Sequence, residues 1–145
     1  MKKIILIASG ALALVIGAYL ILKPAPTAQV VVAALPAKGD PIVEVTLPDT
    51  LSSEAQIGKR AFEAVCAACH GLNAAGAEGA GPPLVHMIYE PNHHGDMAFL
   101  SAVQRGVQSH HWRFGNMPPQ TGLTGGDVKA ITAYVRELQR ANGIK

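Results

Sequence analysis

Cys66-Ala67-Ala68-Cys69-His70 contains both cysteines of the 145-residue chain, and its reading constrains the fold that must surround it. Two thiols three residues apart at the end of a helix lie on nearly one face, so both can reach the vinyl-derived carbons along one edge of a porphyrin. The next residue, His70, then swings its imidazole under the iron. This spacing reads as attachment of one c-type haem through Cys66 and Cys69, with His70 as the proximal iron ligand. The other uses of a Cys-x-x-Cys pair are a redox dithiol, half of a zinc site or a structural disulfide. A redox dithiol calls for a surrounding βαβ pattern, which is absent. A structural zinc site calls for more cysteines, or for histidines paired at ligand spacing.

Upstream of the motif, Ser53-Glu54-Ala55-Gln56 has the form of a capping box, so a helix is expected from there to about Cys66. Gly58, Phe62 and Val65 fall on one face of it. Downstream, residues 71–96 are rich in Gly, Asn and Pro and read as loops. Asp96 is placed to cap a middle helix over about 97–107, and residues 109–122 return to loop. Thr124-Gly125-Gly126-Asp127 opens a last helix in which Val128, Ile131, Val135 and Leu138 keep helical spacing, and Gly143 suits its end. No strand-like alternation survives in residues 51–145, so the domain is expected to be all-α. With only 5% aromatic residues in the chain, covalently held haem is expected to supply part of the core, and the haem-free chain to fold poorly.

The front of the chain differs from the rest. Lys2 and Lys3 precede an uncharged run of 19 residues, Ile4 to Leu22, and a helix needs roughly 20 apolar residues to cross a bilayer. A cleaved signal peptide would share these features, but the only Ala-x-Ala pattern in the run, Ala11-Leu12-Ala13, lies in its middle. Residues 1–23 are therefore read as an uncleaved transmembrane anchor with its short end in the cytoplasm and the remainder exported. Five prolines mark residues 24–50 as a linker, which would reach roughly 80 Å in polyproline-like extension. The haem domain is assigned to residues 51–145. Residues 46–145 carry eight basic and eight acidic side chains with no basic stripe, so nucleic-acid binding has no support.

A sixth iron ligand must come from elsewhere. Met1 is on the wrong side of the membrane, Met97 falls at a helix start, and Met87 stands beside His86. Met117 lies in Phe114-Gly115-Asn116-Met117-Pro118-Pro119, a loop whose prolines hold a thioether at low entropic cost. Histidine is its main rival. His86, His93, His94, His110 and His111 are unusual, and the two adjacent pairs are candidates for a second metal site of copper or zinc. Trp112 is expected to pack on the haem with its indole N–H seeking a partner, and Arg105 and Arg113 are candidates to neutralise propionates.

Taken together, Gly58-x-x-x-Phe62-x-x-x-Cys66-x-x-Cys69-His70, Gly81-Pro82-Pro83-Leu84, Asn116-Met117-Pro118 and a terminal helix with Tyr134 resemble the class I cytochrome c family over about residues 51–142. The likeness is greatest to the membrane-anchored c-type cytochromes of bacterial respiratory chains. It implies a small helical domain around one covalent haem c. It assigns Met117 as the distal ligand, a carbonyl at Pro82 as partner of the proximal imidazole, and a helix crossing at Gly58 against Tyr134. The function it implies is one-electron transfer in the periplasm between donor and acceptor complexes of the same membrane, rather than enzymatic turnover. A fixed haem subunit of a larger oxidase or dehydrogenase, and a metal-handling or sensing haem protein, are the alternatives.

Overall fold

The structure, a computed structural model, describes residues 37–145. Four α-helices run in chain order: α1 at Ser53–Val65, α2 at Ala67–His70, α3 at Asp96–Arg105 and α4 at Gly125–Ala141. Short 3-10 turns occupy Leu72–Ala74 and Met87–Tyr89, and there is no strand among the described residues. The all-α expectation thus holds for this region. The anchor assigned to residues 1–23, and the linker as far as residue 36, lie outside the described residues. Among the described residues no helix is long and apolar enough to cross a membrane.

The core is built where α1 crosses α4. A Cβ on Gly58 would sit 1.8 Å from the Ala130 carbonyl oxygen, so only glycine lets the two backbones approach this closely. The crossing partner is therefore Ala130, one turn before the expected Tyr134. Tyr134 meets Phe62 instead, edge to face at 5.7 Å, and its hydroxyl donates to Asn73 Oδ1 at 3.2 Å. Ala55, Phe62, Ile131, Val135 and Leu138 are buried in the same cluster.

Both of these helices are capped by local side chains. The N-cap of α1 is Ser52, one residue earlier than the expected box: its Oγ accepts the Ala55 amide, while Gln56 Nε2 donates to the Leu51 carbonyl. In α4 the helix opens at Thr124 as expected, and Thr124 and Asp127 form a capping box there. The Thr124 amide and hydroxyl donate to Asp127 Oδ2 at 2.8 and 2.7 Å, which holds that carboxyl below its ordinary range. Past the end of α4, Gly143 takes a φ of +78° and the Ile144 amide returns to the Gln139 carbonyl. For α3 the cap expectation needs correcting. The N-cap is Gly95, without a side-chain bond, because Asp96 turns its carboxylate to Arg136 of α4.

Residues 37–50, read above as the end of the linker, are hydrogen-bonded along the domain. The Ile42 and Val43 amides donate to the Ala75 carbonyl, the Gly39 amide to Glu78, and Thr46 exchanges two bonds with the Asn142 side chain.

Candidate functional site

The attachment motif continues α1 with hardly a break. Cys66 caps α1, and the amides of Cys69 and His70 both return to the Cys66 carbonyl, at 3.1 and 2.9 Å. One helical turn therefore carries both thiols, and Cys66, Cys69 and His70 all line a single cavity of about 530 Å³. Burial, and then the neighbouring Cys69, push the Cys66 thiol up to about 11. A redox dithiol needs the opposite shift, toward thiolate, so Cys66 lacks the activated sulfur of that chemistry.

His70 is oriented from behind. Its Nδ1 stands 2.9 Å from the Pro82 carbonyl, which can only accept, so Nδ1 carries the proton and Nε2 keeps a free lone pair. Burial lowers the His70 pKa, with the Pro82 bond partly offsetting it, and the ring is neutral at physiological pH. The segment that supplies Pro82 packs beneath the motif because Gly81 lacks a side chain: a Cβ there would come 2.6 Å from the Cys69 carbonyl oxygen.

Another part of the cavity wall is made by loops. Met117 is pinned by a two-bond bridge with Val107, each amide donating to the other's carbonyl at 2.9 and 3.0 Å. Gly106, at a φ of +73°, allows the close pass, since a Cβ there would lie 2.5 Å from the Met117 carbonyl oxygen. Met117 lines the cavity, whereas Met87 and Met97 are 58% and 72% exposed and do not. His86 is also absent from the lining. Its Nδ1 accepts the Ile88 amide and its ring packs edge-on against Trp112. His94, His110 and His111 do line the cavity. Neither Arg105 nor Arg113 does, and Arg105 donates instead to the Ser101 hydroxyl.

Apolar side chains such as Phe62, Leu84, Phe99, Val103 and Ile131 complete the walls, and the volume falls within the roughly 300–1,000 Å³ of ordinary ligand pockets. Trp112 also faces the cavity. Its indole N–H is buried, near the Tyr89 phenol, but makes no well-formed hydrogen bond. An orphaned buried donor, a neutral imidazole with a free Nε2, a thioether and two cysteines on one helical turn form a donor set that fits an iron porphyrin.

A family model for cytochrome c matches residues 55–139. The chain belongs to the cytochrome c family. Comparison with curated proteins gave no match. Membership brings a covalently bound haem c with iron and the role of a haem-based electron carrier, in a family whose members are usually carriers rather than enzymes. In this cytochrome c domain the most consequential residue that sequence reasoning passed over is Arg136. Its side chain is 8% exposed, yet it binds Asp96 at 2.9 Å and the Tyr89 carbonyl at 2.7 Å, donates to the His94 carbonyl, and stacks 4.9 Å from the Phe99 ring. It thereby ties the loop before α3, and α3 itself, to α4. A signal was available: Thr132, Arg136 and Gln139 form a polar row at helical spacing on a helix whose apolar face was otherwise assigned.

Proposed function

We propose that the chain is a one-electron carrier tethered to the cytoplasmic membrane by residues 1–23, with its haem domain in the periplasm and its donor and acceptor among respiratory complexes of that membrane. Cys66 and Cys69 hold the haem by two thioether bonds, His70 Nε2 is the proximal ligand and the Met117 sulfur the distal one. The single observation that carries this reading is that these four side chains, from two distant parts of the sequence, line one cavity while Met87 and Met97 point elsewhere. When bound, the haem supplies a ferric/ferrous couple, whose potential a methionine and histidine pair raises relative to two histidines. Pro82 fixes the His70 tautomer, the Val107 bridge holds Met117 in place, and the Trp112 indole N–H is free to meet a propionate. An anchor and linker would raise the effective concentration for partner encounter to roughly millimolar.

Two measurements test this. Denatured protein should keep its haem and give the pyridine haemochrome of two thioether links; release of haem into acidic organic solvent defeats the attachment. The mature protein should retain its first residues by intact mass and resist carbonate extraction. Loss of residues before about Ala28 would make it an untethered carrier instead.

A further inference from the structure

Four of the six histidines meet beside the cavity, drawn from two loops on either side of α3. His93 and His94 lie just ahead of that helix, and His110 and His111 in the loop closed by the Val107–Met117 bridge. The His93 ring lies 4.5 Å from His94 and 5.2 Å from His111, with His94 and His111 5.4 Å apart. One nitrogen from each of His93, His94 and His111 lies within 4.8 Å of the other two. A tetrahedral ion with metal–nitrogen bonds of about 2.0–2.1 Å holds its nitrogens about 3.3 Å apart. Closure therefore needs shifts of about 1.5 Å or less, which rotation of the exposed His93 and His111 side chains can supply.

His94 is oriented from behind. Its Nδ1–H donates to the Ile88 carbonyl at 2.6 Å, so in the neutral ring the lone pair is on Nε2, and its own carbonyl is held by the buried Arg136 guanidinium.

We propose that His93, His94 and His111 bind one divalent first-row transition ion, separate from the haem iron, with copper(II) held most tightly and zinc(II) next. A set of imidazoles without a carboxylate suits copper and zinc and disfavours calcium and magnesium, which take oxygen ligands. His110, whose ring lies 4.2 Å from His111, is the nearest side chain for a fourth position. The separation from iron rests on the reading of Met117, rather than a histidine, as the distal ligand.

The test uses untagged, haem-loaded full-length protein, titrated with copper(II) chloride and separately with zinc(II) chloride in a non-chelating buffer. Calorimetry should give one ion per chain, and the copper(II) electron paramagnetic resonance spectrum should show nitrogen splitting. His93→Ala/His111→Ala should weaken binding by 100-fold or more, by about the factor that metal-site disruption costs, with the haem spectrum unchanged. His86→Gln should bind within about twofold of wild type, since His86 lies outside the triad. Saturable binding that the double variant loses supports the site whatever the sixth ligand of the iron proves to be. Unchanged binding in the double variant, an equal loss in His86→Gln, or disappearance of the sulfur-to-iron charge-transfer band when metal is added overturns it.

Discussion

The two parts of the cavity wall are made in different ways. The wall that carries Cys66, Cys69 and His70 is α1 followed by α2 across Cys66, backed by the α1–α4 crossing, with glycines at points of close backbone approach. The wall that carries Met117 is loop, held by a pair of backbone hydrogen bonds to Val107, by the Gln120 amide on the Val103 carbonyl and by the Ser109 amide on Asn116 Oδ1. The first is fixed by packing that a single added methyl would break. The second is fixed by a few polar contacts, and it also carries His110 and His111. One wall therefore suits permanent attachment, and the other suits adjustment of the iron's environment.

The largest effect expected from this contrast is at the helix crossing. Gly58→Ala forces α1 and α4 apart and should cost about 3 kcal/mol or more in the holoprotein, read by denaturant unfolding; a cost below about 1 kcal/mol would show that the crossing is loose. Next comes Arg136→Met, which leaves the His94 carbonyl without its donor, the Tyr89 carbonyl with Gln139 Nε2 alone and the Asp96 carboxylate without its partner, and should cost about 2 kcal/mol. Hydrogen exchange should then quicken around residues 89–96 and stay slow in α1. Equal acceleration in both would mean that the two walls are one cooperative unit.

Met117→Ala should leave stability nearly unchanged but abolish the charge-transfer band at the red edge of the ferric spectrum and lower the potential, with haem fully retained. A band that survives there and vanishes in Met87→Ala would move the ligand to a residue the structure leaves exposed. The smallest effect belongs to Asp127→Asn. The Thr124 bonds hold the Asp127 carboxyl below its unfolded value of 3.8, so its contribution is full above that pH and is lost as pH falls through the lowered folded value. The variant should lose that part of the acid limb of the stability profile and otherwise follow wild type.

Much of this was legible in residue order. Helical spacing marked α1 and α4, and Thr124-Gly125-Gly126-Asp127 marked the start of α4, because these depend on residues three or four apart. The shift of the first cap from Ser53 to Ser52 was not legible, since adjacent serines offer the same hydroxyl and only the start of the hydrogen-bond ladder distinguishes them. Asp96 illustrates a different kind of miss. It has the composition of a cap, but Arg136, 40 residues away, takes its carboxylate.

Residue order alone points to the attachment chemistry, since Cys66, Cys69 and His70 fall within one helical turn and local backbone geometry sets their common face. It also determined that a methionine braced by prolines was the best distal candidate. Chain return in three dimensions brings Met117 and His70 to one cavity, crosses Gly58 at Ala130, and sets nitrogens of histidines 17 and 18 positions apart within 4.8 Å of one another. Those outcomes depend on how chain segments return past one another, which the α1–α4 crossing, the Val107–Met117 bridge and the buried Arg136 set through contacts that no local period encodes.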